Sequence, residues 1–128
     1  MQRQQMAKQA LAFLDDQKLK PLLGDVGRAG IQTLLGAVQR AGSLEEIEIV
    51  LRYQAARSRE GNRPGEDGRY HPELERHLVT LLRAASGKAT DPAIQARAAA
   101  DQLAMIARVH RVITADARNA GRERGDAD

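Results

Sequence analysis

The sequence predicts an all-α fold, a compact bundle of about five helices. Apolar residues recur at helical spacing in five segments, and no segment shows the alternating pattern of a β-strand. Glycine, proline and capping residues separate these segments as helix ends require. At 128 residues the chain has the length of one domain with one core. We therefore expect residues 1–128 to form a single helical domain.

The first two predicted helices flank a glycine-rich joint. Met6 and Phe13 share one face of a helix over residues 3–20, which Pro21 ends. Glycines then follow at intervals of three residues, and a second helix runs to about residue 41. Its predicted inward face consists of Ile31, Leu34, Leu35 and Val38.

The third predicted helix begins at a capping box and carries two apolar stripes. Ser43 and Glu46 supply the box, and the helix runs to about Arg59. The stripes lie on roughly opposite sides, so we expect this helix to be sandwiched at the centre of the bundle. They comprise Leu44, Ile47, Val50, Leu51 and Gln54 on one side, and Ile49, Tyr53 and Ala56 on the other.

Prolines open the last two predicted helices. Residues 60–71 have the composition of an exposed loop, after which Pro72 starts the fourth helix. Asp91-Pro92 then supplies an N-cap and first turn for the longest helix, which is predicted to end at about residue 117. We expect the charged tail 119–128 to be frayed.

The last helix separates its arginines from its apolar residues. At about 100° per residue, its arginines fall on one side with alanines between them, which leaves room for phosphate to approach. Asp101 is the only acid among them, whereas an ordinary solvated helix mixes charges of both signs. A solvated charged face is the alternative explanation. The arginines are Arg97, Arg108, Arg111 and Arg118; the predicted apolar side is Ile94, Ala98, Met105, Ile106, Val109, Val112 and Ile113.

The basic residues of the chain suit a polyanionic partner without requiring one. The formal net charge is +3 and the pI is about 9.7. Only four of the 20 basic residues are lysine, and the planar fork of arginine suits bidentate contacts with phosphate. The alternative explanation for the same ratio of arginine to lysine is a GC-rich genome, which would encode arginine in place of lysine throughout.

The composition excludes several other functions. The absence of cysteine excludes disulfides, thiolate catalysis and Cys-ligated zinc. There is no run of about 18 apolar residues and no signal-peptide pattern, so we expect a cytoplasmic protein without membrane association. Aromatic residues make up 2% of the chain, too few to stack on bases, so a nucleic acid would be held by its backbone.

No group of residues predicts catalysis, a metal site or a cofactor. The three histidines do not share a helix face at ligand spacing, and no glycine-rich phosphate loop follows a strand. The paired acids at residues 15–16 and 45–46 are explained by solvation and helix capping. We therefore expect a non-enzyme with no cofactor, no metal and no small-molecule substrate.

Two segments of the chain carry a family resemblance. They are RAGIQTLLGAV and LRYQAARSRE, the second ending a helix on an aromatic residue, small residues and Arg57. The region that holds them, residues 22–59, resembles the small subunit of type III CRISPR effector complexes, Csm-type. AMIARVHRVI is a weaker likeness to the family's last helix. The opening GDVGRAG, the loop 60–71 and the segment ARAAAD depart from the family pattern, and the Cmr-type small subunit is the alternative match.

The resemblance implies a function. Such subunits are helical bundles without catalytic residues, which stack in a few copies inside a ribonucleoprotein and contact RNA through basic side chains. It implies that this chain contacts the backbones of crRNA and target RNA, and packs against other effector subunits and copies of itself. The residues expected to contact RNA are Arg52, Arg57, Arg59, Arg97, Arg108, Arg111 and Arg118.

Simpler roles stay open for two of these arginines, and so does a second function for the chain. Arg52 can pair with Glu48 one helical turn before it, and Arg57 can cap carbonyl groups at the helix end. The alternative function is a helical protein–protein adaptor without a nucleic-acid role, whose exposed apolar face docks a partner helix.

Overall fold

The computed structural model describes the backbone of residues 1–60 and 70–126 and the side chains of residues 1–58 and 70–119. This part of the chain forms six α-helices and no strand, which confirms the predicted all-α bundle. Most of the predicted loop 60–71 lies outside the described residues. The helices are α1 (Arg3–Asp15), α2 (Leu19–Gly24), α3 (Arg28–Arg40), α4 (Leu44–Glu60), α5 (Pro72–Ala85) and α6 (Pro92–Asp126).

One contiguous apolar core draws on all six helices. Within the described residues, no helix combines the length and the apolar character that crossing a bilayer requires.

The segment predicted as one helix over residues 3–20 is two helices. After α1 ends, the Asp16 carboxylate accepts hydrogen bonds from the backbone N–H groups of Leu19 (2.8 Å) and Lys18 (2.9 Å), which starts α2. These bonds, Leu19's above all, hold the pKa of Asp16 below its usual value. Pro21 does not end a helix, as predicted, but lies in the first turn of α2, where a missing N–H breaks no intrahelical hydrogen bond.

The central helix of the bundle is α6, and the prediction that the third predicted helix, α4, is sandwiched is wrong. Helix α6 has 35 residues and contacts all five other helices. Helix α4 buries only one of its two apolar stripes. On the other stripe, Ile49 is 67% exposed and Tyr53 is 60% exposed.

The buried face of α6 also differs from the predicted one. Ile94 and Val112 were expected to face the core, yet they are 59% and 46% exposed. The residues that face the core instead include Ala96, Ala99 and Leu103. The two alanines are buried because their small side chains let neighbouring helices approach α6 closely. The hydrophobicity pattern gives these alanines too little weight. The helix also continues to Asp126, beyond the predicted end at about residue 117.

The predicted helix caps are present. Ser43 Oγ accepts a hydrogen bond from the Glu46 N–H (3.2 Å), and the Glu46 carboxylate accepts one from the Gly42 N–H (2.9 Å). Asp91 Oδ1 accepts one from the Ala93 N–H at 2.8 Å, at the start of α6. These side chains accept hydrogen bonds from backbone N–H groups that have no partner within the helix at its start.

Two polar side chains are buried in the α6 face. His110 Nε2 lies 2.6 Å from the Val26 carbonyl oxygen and donates a hydrogen bond to it. The Gln102 side chain is fully buried, and neither its amide nitrogen nor its amide oxygen has a hydrogen-bond partner among the described residues. A buried amide without a partner lowers stability, because it has lost its bonds to water.

We expect Gln102→Met to raise the free energy of unfolding by about 1–3 kcal/mol, because the change removes two unpaired polar atoms and nearly keeps the volume. Urea unfolding followed by circular dichroism measures it. The matched control is Gln95→Met, which removes a 2.7 Å bond from Gln95 Nε2 to the Ala89 carbonyl and should lower stability. A Gln102→Met variant less stable than the parent protein would contradict this account of Gln102.

Candidate nucleic-acid interface

A groove of about 1020 Å³ runs between α3 and α6. Among the described residues, its lining includes four arginines and a single acid, Asp25. None of the four arginines forms an ion pair with a described side chain, so no described carboxylate neutralises their charge directly. The arginines are Arg28, Arg108, Arg111 and Arg118.

Helix α6 supplies one wall of the groove. Arg108, Arg111 and Arg118 are spaced by three and seven residues, which places them on one helix face along a row about 15 Å long. Ala104, Ala107 and Ala115 also line the groove. Because these side chains are short, a chain of phosphates can approach the helix between the guanidinium groups.

The start of α3 supplies the other wall. Gly27 is the N-cap residue and no side chain caps this helix, so the first N–H groups of α3 have no side-chain acceptor. The same helix end carries the positive pole of the helix dipole. Arg28, the first residue of α3, lines the groove beside it. Both features favour a negatively charged ligand.

Two histidines hold the short connection between α2 and α3 in place. His110 of α6 donates to the Val26 carbonyl from one side, and His71 Nε2 lies 3.1 Å from Asp25 Oδ2 on the other. Gly24 allows the close approach to α6, since a Cβ there would lie 3.2 Å from Ile113 Cγ2. The arginine-bearing helix therefore also fixes the opposite wall of the groove.

Three of the seven predicted RNA-contacting arginines come together in this groove, namely Arg108, Arg111 and Arg118. Arg97 is exposed on α6, about 16 Å from Arg108 along the helix axis, and does not line the groove. Arg57 is exposed on α4, and the side chain of Arg59 lies outside the described residues.

Arg52 belongs to a separate cluster of charges on α4 and α5. Its Nε lies 3.3 Å from Glu48 Oε2, while Arg83 of α5 lies 2.8 Å from Glu48 Oε1. The simpler role for Arg52, pairing with Glu48, is confirmed. Arg52 therefore does not join the groove arginines in one continuous surface, because the shared carboxylate holds it on the α5 side of α4.

Arg28 is the one groove arginine among the described residues that was not among the predicted RNA-contacting residues. The feature of the sequence that could have pointed to it is its position, directly after a glycine N-cap and at the start of the segment RAGIQTLLGAV. That position indicates only that the side chain lies at the start of a helix. It does not show that α3 lies beside the arginines of α6, which are about 80 residues later in the chain.

His77 lies outside the groove and packs against an aromatic side chain. The rings of His77 and Phe13 are arranged edge to face, with their centroids 5.5 Å apart. Burial lowers the pKa of His77, against the opposing effect of Asp16. Within the described residues, no three His, Cys, Asp or Glu side chains are grouped so that they could hold a metal ion.

No protein-family model matches the chain, and comparisons with curated proteins and with solved structures find no match. The resemblance of residues 22–59 to CRISPR small subunits therefore stays a prediction.

The Glu48 cluster predicts acid sensitivity. Hydrogen bonding to Arg83 is the main cause that lowers the pKa of Glu48 below its ordinary value near 4.5, and Arg52 adds to it. A carboxyl whose folded-state pKa is lowered stabilises the fold above its unfolded pKa and loses that effect as the pH falls through the folded value. We expect Glu48→Gln to lower the melting temperature slightly at pH 7 and not at all in strong acid.

Melting curves between pH 2 and pH 7 measure this effect. Asp101→Asn is the control, since Asp101 is exposed and forms no ion pair with a described side chain. It should melt like the parent protein at every pH. A Glu48→Gln variant that melts below the parent by the same amount throughout would show that the ion pairs are not the cause.

Proposed function

We propose that this protein binds the RNA backbone in the α3–α6 groove and has no catalytic activity. The observation that carries the proposal is the convergence of four arginines without ion partners among the described side chains, on two helices that pack against each other. Guanidinium groups bind phosphate in a bidentate manner. The row of arginines on α6 is long enough, at about 15 Å, to follow several phosphates of one strand.

The groove favours backbone contact over base recognition. No Phe, Tyr or Trp is among its described lining residues, and proteins that read single-stranded bases stack them on such side chains. Contacts to phosphate position a nucleic acid without reading its sequence. We therefore expect RNA binding with little sequence preference.

The groove's own titratable groups already have structural partners. Asp25 pairs with His71, and His110 donates to a backbone carbonyl. Engaged in this way, they hold the groove wall in place, and this supports a binding role without catalysis.

The family resemblance supplies the setting for this proposal. The segment RAGIQTLLGAV spans residues 28–38, which are nearly all of α3 and include Arg28. We extend the proposal to a small subunit of a type III CRISPR effector complex in the cytoplasm. Its partners would be crRNA, target RNA, other effector subunits and copies of itself. This extension rests on the resemblance, and effector-backbone genes or a repeat array beside its gene would support it.

Salt dependence tests the RNA proposal. Fluorescence anisotropy with a labelled single-stranded RNA of about 20 nucleotides is measured across a salt series. Four phosphate contacts predict a slope of roughly −3 for log K against log salt concentration, because each contact releases counterions. Replacing Arg108, Arg111 and Arg118 together with Gln should reduce the slope to about −0.7 and weaken binding at least tenfold at low salt.

Two single variants act as controls. Arg76→Gln removes an exposed arginine of α5 outside the groove and should leave both the slope and the affinity unchanged. Arg97→Gln tests whether the contact extends along α6 beyond the groove, and we expect no change. A slope near zero for the parent protein, or a triple variant that binds like the parent, would contradict the proposal.

The adaptor function is a second candidate, which the exposure of Ile49 and Tyr53 favours. Two large apolar side chains next to each other on one helix ridge are a feature of helix-docking surfaces. An adaptor without a nucleic-acid role predicts that the triple groove variant loses nothing measurable, whereas Tyr53→Ser abolishes association with its protein partner.

A further inference from the structure

Four exposed side chains form one ridge along α4. Glu45, Ile49, Tyr53 and Arg57 follow each other at intervals of four residues, and all four are exposed. We name this set the α4 ridge. Side chains spaced by four residues are neighbours on a helix surface and form the ridges that pack between helices. None of the four lines the α3–α6 groove.

The order of chemical types along the α4 ridge is self-complementary. An acid stands at the N-terminal end, two apolar side chains in the middle and a base at the C-terminal end. Glu45 and Arg57 are equally distant from the midpoint between Ile49 and Tyr53. A second copy of the ridge laid antiparallel on the first would place each Ile49 beside a Tyr53, and each Glu45 beside an Arg57.

Helix packing geometry allows this arrangement. Ridges spaced by four residues interdigitate when two helices cross at about −50°, the commonest packing class. At that angle the two ridges run alongside each other near the crossing point. The helix axes diverge on either side of it, and the long Glu and Arg side chains can span the wider gap between the helices there. A twofold axis through the crossing point makes the contact isologous, the usual form of a homodimer interface.

We propose that the α4 ridge is a homotypic contact through which two copies of this chain pair in an antiparallel manner. Charge complementarity identifies the occupant as a second copy. A helix of another protein would need only some matching pattern, whereas antiparallel self-pairing requires the acid and the base to be symmetric about the apolar centre, as they are. The pairing does not depend on RNA binding in the groove.

The contact is small, and its affinity is correspondingly modest. Two crossing helices bury less than the roughly 1,200 Å² typical of stable complexes, so we expect a dissociation constant on the order of 100 μM. The ion pairs lie at the rim, so added salt weakens the pairing. Sedimentation velocity from about 10 μM to 1 mM at low salt should show a monomer–dimer equilibrium.

Ile49→Asp tests the centre of the ridge. It places two carboxylates in the middle of the contact and should leave the protein monomeric at every concentration. The matched control is Ile94→Asp, which changes a similarly exposed isoleucine on α6 and should dimerise like the parent. Circular dichroism confirms that both variants are folded.

Charge exchange tests the antiparallel register. Glu45→Arg alone and Arg57→Glu alone should each weaken dimerisation at least fivefold, because each places like charges side by side at both ends. The double variant should return to within about twofold of the parent affinity. Within one chain the two positions are about 18 Å apart, so this rescue reports contact between copies.

Three results would overturn the proposal. They are a monomer at all concentrations, a dimer unaffected by Ile49→Asp, and a double variant that is not rescued. The first would leave the adaptor's foreign helix as the occupant of the ridge, and the last would exclude this register. The triple groove variant should dimerise normally, so a failure of self-association and a failure of RNA binding can be told apart.

Discussion

Helix α6 packs against every other helix of the bundle, and both the fold and the groove depend on that packing. Its core-facing side is built largely from alanine, leucine and isoleucine, which lets the surrounding helices lie close. The same helix presents three arginines on a solvent-facing side. Since one rigid element supplies both faces, the positions of these arginines relative to α3 are set by core packing rather than by contacts within the groove.

Polar side chains beside the groove position its walls, and none of the groove arginines has an ion partner among the described side chains. His110 and His71 hold the connection before α3, at Val26 and at Asp25. On α4 and α5 the arrangement differs, because the Glu48 carboxylate forms ion pairs with both Arg52 and Arg83. The Arg83–Glu48 pair joins two helices, whereas the arginine row of α6 faces solvent in the groove, where a polyanion could reach it.

The proposed RNA groove and the α4 ridge share no residue, so occupation of one leaves the other free. The groove is cationic and has no Phe, Tyr or Trp in its described lining, whereas the ridge combines an apolar centre with opposite charges at its ends. The two proposed contacts would therefore take different partners. A groove that contacts only the backbone would tolerate any phosphate chain, while a self-complementary ridge would select a second copy of itself.

The sequence by itself determined the helical class, the capping residues at Ser43 and Asp91, and the arginine face of α6. These depend on neighbours within about four residues, where hydrogen bonding and periodicity are local. Even the break after α1, which was not predicted, is local, because the Asp16 carboxylate accepts the hydrogen bonds that start α2 only five residues before Pro21. Only the tertiary structure decided that α6 is central, that Ile49 and Tyr53 are exposed, and that Arg28 joins three arginines of α6 while Arg52 does not. Those outcomes depend on contacts such as that between Val26 and His110, which are 84 residues apart. The periodicity of one segment does not predict which distant segment it packs against.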